Sequence, residues 1–402
     1  MTGPVLLAAL LLGRGPAAAA PPPGATLEVS VITAGAGARV WERWGHNMIR
    51  IRDRATGSDL AYNWGMFSFE QAGFVQRFLM GRMWYWMASA PTPRVLRLYA
   101  AYDRTLVEQR LDLTPAQAVA LDSLLRWTDS DARRFYHYDY YRDNCSTRVR
   151  DALDLVLGGV IRAATDTIPA GTTFREETRR LSIADRPLYL GLMLGLGPAT
   201  DRPISVYEDM FLPVRMMERM RGIAVTGPDG ARRPLVARED TLYLSTRYTE
   251  PAPAARIPGT FLVTGLLLGA LLWGVGRRAP RWAGVAGLAL AGLLLGVAGG
   301  LLAFLMTVTD HAVTYGNQNA WPLTLLPFPL AVLLRPAVAG KARAARWARG
   351  LAVAVVCLAA GALVVKLLPV ARQDDLETLA LLLPLDVGFA LGVHALLRRA
   401  EG

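Results

Sequence analysis

Asp143-Asn144-Cys145-Ser146-Thr147-Arg148 is the stretch from which the rest of this chain is read. Residues 134–141 before it alternate aromatic and polar side chains, as an extended strand does. The residues after it read as a helix to about Leu157, ahead of Gly158-Gly159. Asp143 or Asn144 is a good N-cap, and polar Ser146 and Thr147 follow. Cys145 is one of only two cysteines. A thiol at a helix N-terminus meets the positive end of the helix dipole, which favours thiolate. Backbone N–H groups there can hold an oxyanion. The alternative is a small buried residue in a helix. Cys357 lies in an apolar run, so a structural disulfide is not expected.

Upstream, Trp44-Gly45-His46 opens an alternating segment, 46–53, that reads as a strand. The turn at 55–58 and the segment 59–64 complete a hairpin. A thiol with a histidine in reach is the minimal apparatus for nucleophilic acyl chemistry. His46 alone would read as structural, and Cys145 makes it the preferred base. His137 is the competing base. Asn63 or Tyr62 on the partner strand could orient the imidazole, or be plain hairpin residues. The chain has four histidines. No spacing suggests a metal site, and no organic cofactor is signalled.

The same reading expects strands over 27–33, 83–89 and 105–111 and a short amphipathic helix over 69–80. Thr114 and Pro115 open a helix to about Trp127. Residues 171–222 read as mostly helical, and 235–248 return to strand. The aromatic and Met-rich segments at 83–87, 210–211 and 216–217 are either core packing or an acyl-chain pocket.

The chain has 402 residues, 52% of them hydrophobic, but the apolar runs gather after Ile257. Five spans are expected, over 259–275, 283–308, 322–334, 351–369 and 376–397. Arg277, Arg278 and Arg281 fill the first connection. Arg335, Lys341, Arg343, Arg346 and Arg349 fill the third, and Arg398 and Arg399 the C-terminus. The second connection has no Lys or Arg, and the fourth has only Arg372. Basic connections stay in the cytoplasm, so the mixed N-terminal half, His311 and Asp374 face outward. The net charge of +11 is read as this bias, not as a nucleic-acid partner. Arginines in the mixed half favour an anionic membrane surface.

Residues 1–23 resemble a signal peptide, cleaved or kept as an anchor, though no Lys or Arg precedes the apolar run. An exported domain over 24–250, a linker over 251–258 and a membrane domain over 259–402 follow. His311, Asn317 and Asn319 share an outward connection. They either cap helices or line the membrane face of the site, binding a lipid head group or a peptide acceptor. Asp310 is placed to tune the charge of His311.

Trp44-Gly45-His46 with Ile49-Arg50-Ile51, then Tyr62-Asn63-Trp64-Gly65-Met66-Phe67, then Asp143 to Arg148, resemble in that order the periplasmic domain of Lnb-type lipoprotein N-acyltransferases. The resemblance covers residues 28–185. The His-before-Cys order also resembles circularly permuted, papain-like (NlpC-like) thiol enzymes, including lecithin retinol acyltransferase. The implied fold class is α+β, a permuted papain-like domain followed by an all-α bundle of about five spans. The resemblance implies Cys145 as nucleophile and His46 as base, while Asn144 and Asp143 at the helix start and Asn63 and Tyr62 on the hairpin are the supporting or oxyanion candidates of the local reading. It implies a membrane phospholipid as acyl donor and the N-terminal amine of a diacylglyceryl-cysteine lipoprotein as acceptor. The setting would be the bacterial inner membrane, with the catalytic domain in the periplasm. A thiol hydrolase (phospholipase, cell-wall amidase or peptidase) and a non-enzymatic lipid- or partner-binding protein are the rival readings. No third catalytic residue is matched by the resemblance.

Overall fold

The computed structural model describes residues 22–227, 229–368 and 373–401. Most of the stretch read as an export signal lies outside them, as does Arg372.

The chain opens with β1 (Leu27–Ala34), β2 (His46–Asp53), β3 (Asp59–Met66), the short helix α1 (Phe74–Leu79), β4 (Trp84–Pro91), α2 (Thr92–Ala101) and β5 (Leu106–Leu111). Next come α3 (Pro115–Thr128), β6 (Phe135–His137), α4 (Cys145–Val156), α5 (Val160–Thr165), β7 (Pro169–Thr173), α6 (Phe174–Ser182) and α7 (Arg186–Gly195). Then follow β8 (Pro203–Ser205), α8 (Val206–Asp209), α9 (Pro213–Met220), β9 (Ala224–Thr226), β10 (Arg232–Pro234) and β11 (Val236–Tyr243).

Seven strands pair antiparallel in the order β11-β5-β1-β2-β3-β4-β6. The pleat sends alternate residues to opposite faces. Val29, Val31, Ile49, Ile51, Tyr62 and Met87 enter a core closed by α3, α4 and α9. Ile32, Ala34, Met48 and Ala61 enter a second, smaller core under Val95 of α2. Helix α2 was not anticipated, although Pro93, Val95, Leu96 and Tyr99 carry a helical spacing. The aromatic strand is shorter than expected. Asp139 Oδ1 accepts the N–H groups of Tyr141 (2.9 Å) and Arg142 (2.8 Å), a local turn that ends it. The helix expected over 69–80 begins only at Phe74, after left-handed Gly73.

The membrane half contains α10 (Pro258–Arg278), α11 (Arg281–Thr307), α12 (Pro327–Val338), α13 (Ala342–Val365) and α14 (Leu376–Glu401). Four of these are each long and apolar enough to cross a membrane unaided, where five such spans are expected from the sequence. The exception is α12. Its 12 residues rise only about 18 Å against roughly 30 Å of hydrocarbon. The irregular chain leading into it, and its own first turn, lie on glycines of α11. A Cβ on Gly299 would sit 2.3 Å from the Thr324 oxygen, and one on Gly296 would sit 2.6 Å from the Phe328 nitrogen. Small residues also bring α10 against α14, where a Cβ on Gly276 would lie 2.0 Å from the Gly392 oxygen.

The basic residues collect at one end of the bundle. Arg399 donates to the Ala279 carbonyl (2.9 Å), and Arg349 pairs with Glu401 (2.6 Å). The sheet domain docks at the other end. Arg179 meets Asp374 at 2.7 Å, Arg256 meets it at 3.0 Å, and Arg82 meets Asp310 at 2.7 Å. With the basic end in the cytoplasm, the sheet domain faces outward.

Candidate active site

Asn144 caps α4. Its Oδ1 accepts the N–H groups of Ser146 (2.8 Å) and Thr147 (3.0 Å), while Thr147 Oγ1 accepts the Asn144 N–H at 2.8 Å. Its Nδ2 donates to the carbonyls of Tyr140 (2.9 Å) and Phe211 (3.0 Å). The Asn144 side chain is therefore committed to placing Cys145. Ser146 ties the same helix turn to β2 and α8. It accepts from Asn47 Nδ2 at 2.9 Å and donates to the Met210 carbonyl at 2.7 Å. Asp143 pairs with Arg148, at 2.6 Å for one oxygen, and burial pushes its carboxyl up against that pairing.

His46 begins β2, and the backbone N–H of the next residue, Asn47, faces the Cys145 thiol. The thiol and the imidazole thus share one end of the sheet. His46 Nε2 lies 3.2 Å from Asn63 Oδ1. Asn63 Nδ2 donates to the Ala61 carbonyl at 3.2 Å, so its oxygen is the end turned to the ring. A carbonyl oxygen only accepts. His46 therefore carries its proton on Nε2, and Nδ1 keeps the free lone pair. Tyr62 occupies the opposite face by the parity of the strand and is buried in the main core.

Electrostatics favour a neutral pair. Burial, then the charge of Arg104, lower the His46 pKa to about 4, opposed by the Asn63 hydrogen bond. Burial pushes the Cys145 thiol above its ordinary value. The Asn47 N–H, the Arg104 charge and the Ser146 and Cys145 N–H groups pull the other way and are outweighed. The expectation that the helix start favours thiolate is corrected on this point. Desolvation exceeds the backbone donors and the Arg104 charge together.

Gly65 closes the site from β3, at a break in the register with β4. Its φ is +85°, and a Cβ there would lie 3.3 Å from Cys145 Cβ, 3.7 Å from Tyr138 Cε2 and 3.9 Å from the Tyr136 hydroxyl. The Tyr136 hydroxyl is buried and has no hydrogen-bond partner among the described residues. Buried hydroxyls are seldom left so, and this one lies beside the thiol. Tyr99 of α2 stacks on His46 at 6.0 Å between centroids, and the Arg104 guanidinium lies 4.8 Å from the Tyr99 ring centre. Arg104 itself is buried and donates to the Gly35 carbonyl at 2.9 Å. Tyr99, Arg104 and Tyr136 were not singled out from sequence. Nothing local marks Arg104, which reaches the site only through the fold.

The remaining sequence candidates lie elsewhere. His137 is exposed on the strand face opposite Tyr136, with its ring 4.6 Å from that of Trp84. His311 stands at the outer end of α11, with Nε2 3.0 Å from the Phe78 carbonyl and its ring stacked on Tyr140. Asn317 and Asn319 are buried. They donate to the carbonyls of Leu194 (2.7 Å) and Met193 (3.1 Å), joining α7 to the membrane half.

Residues 23–178 match the family model described as the Lnb N-terminal periplasmic domain. The match contains His46, Asn63 and Cys145 but ends within α6, before β11 and the membrane helices. No curated protein and no solved structure matches the chain. The matched segment is thus similar to the periplasmic domain of a lipoprotein-modifying family, joined here to a helical region with four helices long and apolar enough to cross a membrane.

Proposed function

We propose that this multi-pass membrane protein is a thiol-dependent lipoprotein N-acyltransferase of the bacterial inner membrane. In this reading Cys145 is the nucleophile and His46 the general base. One observation carries it: His46 is held by Asn63 with Nδ1 unprotonated, and the N–H of the adjacent Asn47 faces the thiol at the start of α4. A base, an orienting amide and a nucleophile are the parts of a covalent acyl-transfer site.

The resting groups are neutral, so the thiol gives its proton to His46 Nδ1 as it attacks. The sulfur adds to a phospholipid ester carbonyl, and the oxyanion takes hydrogen bonds from the Cys145 N–H and the Tyr136 hydroxyl. Collapse breaks the C–O bond. The leaving glycerol oxygen takes the proton from His46, lysophospholipid departs and a thioester remains. The amine of a diacylglyceryl-cysteine lipoprotein then adds to the thioester and gives a proton to His46. The C–S bond breaks, the sulfur recovers that proton and the N-acyl product leaves. Both substrates are confined to the same leaflet, which favours their meeting at a membrane-held site.

The test is intact mass of the whole protein after incubation with phospholipid vesicles. The wild type should gain one hydroxylamine-labile acyl group, and Cys145→Ala and His46→Ala should not. A diacylglyceryl lipopeptide should then remove it and gain an amide. Lysophospholipid without an N-acyl product would replace this reading with a phospholipase. A folded protein that forms neither adduct nor lysophospholipid would refute the phospholipid donor.

A further inference from the structure

The loop and helix that follow Gly65 carry apolar side chains that stay largely exposed. Phe69 is 61% exposed, Val75 65%, Phe78 42% and Leu79 49%. Such a patch on the outside of a domain calls for an occupant. Its place in the fold supplies one. The Asp310 N–H donates to the Met80 carbonyl at 2.8 Å, and His311 Nε2 lies 3.0 Å from the Phe78 carbonyl. A Cβ on Gly81 would strike the Asp310 carbon at 2.7 Å. Asp310 follows closely on the end of α11 at Thr307, where the apolar helix reaches the outer interface. Val308 there is itself 53% exposed, and the chain just beyond it is bonded to the end of α1.

A row of rings leads inward from this patch. Phe78 meets Phe74 at 6.1 Å between centroids, Phe74 meets Phe67 at 5.9 Å, and Phe67 meets Tyr85 at 5.1 Å. Tyr85 meets Tyr138 at 4.6 Å, and Tyr138 flanks Gly65 and Cys145.

We infer that the segment from Phe69 to Leu79 is a lip inserted in the outer leaflet, and that phospholipid acyl chains pass along the Phe74–Phe67–Tyr85–Tyr138 wall to Cys145. The insertion stands on the placement of α1 alone. The delivery rests on the acyl-transfer reading above. Bilayer partitioning of exposed Phe, Leu and Val at an interface is favourable. The continuity with α11 favours lipid over a protein partner as occupant.

The full chain with Cys145→Ala and Cys357→Ser has no cysteine left, so a bimane probe can be placed by Val75→Cys or, as a control, by Ala231→Cys in the distant β9–β10 turn. The chains are reconstituted into vesicles of phosphatidylethanolamine and phosphatidylglycerol carrying a nitroxide high on the acyl chain. The Val75→Cys probe should be quenched several-fold more than the control, and equal quenching overturns the insertion. In the wild-type background, Val75→Ser/Phe78→Ser/Leu79→Ser should slow thioester formation from vesicle phospholipid by roughly tenfold or more. Acylation by a soluble short-chain ester should stay within about twofold. Equal loss with both esters, or no loss with either, overturns the delivery role. Strong quenching in a protein that never acquires an acyl group would leave the lip standing and sink the acyl-transfer reading instead.

Discussion

The protonation state of His46 gives the most direct check on the chemistry argued above. Its pKa is lowered from 6.5 to about 4, by burial first and by Arg104 second. At about 1.4 kcal/mol per pH unit, this is a preference of roughly 3 kcal/mol for the neutral ring. The sign follows from linkage. Between pH 6.5 and 4 the unfolded chain binds the proton and the folded chain does not, so stability falls as pH falls through this window. The loss is absent above pH 6.5 and complete near pH 4. With only four histidines in the chain, ring-labelled protein in detergent should give a resolvable titration by NMR, with His46→Gln assigning the signal. The His46 resonance should stay that of the neutral Nε2–H form from pH 8 to 5. Arg104→Gln removes the second cause and leaves the first, so its midpoint should rise and remain below 6.5. A wild-type midpoint at or above 6.5 would refute the neutral pair. A return to 6.5 in Arg104→Gln would show that charge, not burial, sets the shift. The acylation rate should likewise be flat between pH 6 and 8, where an ordinary histidine base would bend it.

Asn63→Ala frees the His46 ring. The lost hydrogen bond costs only about 1 kcal/mol of stability, but misorientation of the base should slow thioester formation by roughly ten- to a hundredfold; Tyr62→Phe, altered on the opposite face, should leave that rate unchanged. Gly65→Ala places a methyl 3.3 Å from Cys145 Cβ at a φ of +85°, a backbone cost of about 1–2 kcal/mol, and should depress both acylation and alkylation of Cys145, as read by intact mass. Arg175 is fully buried and holds Asp201 (3.0 Å) and the Leu196 carbonyl (2.9 Å). Arg175→Met leaves a carboxylate unpaired, so about 3–5 kcal/mol of stability should be lost, seen as a lower melting temperature in detergent; an unchanged melting temperature would contradict the pairing.

Local signals in the sequence carried the elements that hold the site. Thr114-Pro115 does cap α3 with a capping box, and Asn144 does start α4, because a cap is settled within four residues. The hairpin of β2 and β3 was legible in the alternation of residues 46–64. Between Asn63 and Tyr62 the sequence could not choose. The choice depends on which face His46 takes, and strand parity gives that only once the register is known. The rest lies in contacts distant along the chain. Arg104 bears on Cys145 and His46 from the connection between α2 and β5, and α2 brings Tyr99 onto the ring. The thiolate expectation failed for the same reason, since a helix start is visible in sequence and burial is not. The third expected span came out differently: apolar composition continues there while the helix does not, and the segment from the outer connection to the basic end is irregular chain followed by the short α12, resting on α11 glycines.

The junction between the two halves bears on why a transferase would need its bundle. Buried groups, not a flexible tether, join the sheet domain to the membrane helices. Arg179 is shared between Asp374 (2.7 Å) and Glu377 (3.6 Å). Asn317 and Asn319 secure the end of α7, and Arg175 gathers the carbonyls of the loop that follows. Pairs buried to this degree add little net stability, because desolvation offsets their attraction. What they supply is a fixed geometry, since breaking one partner leaves a charge stranded. A site held at a fixed height above the outer leaflet can take an ester from a lipid that stays in the bilayer. A site on a loose tether would have to find that ester anew on each turnover. On the acyl-transfer reading, the cost of burying these charges at the junction is the cost of positioning Cys145.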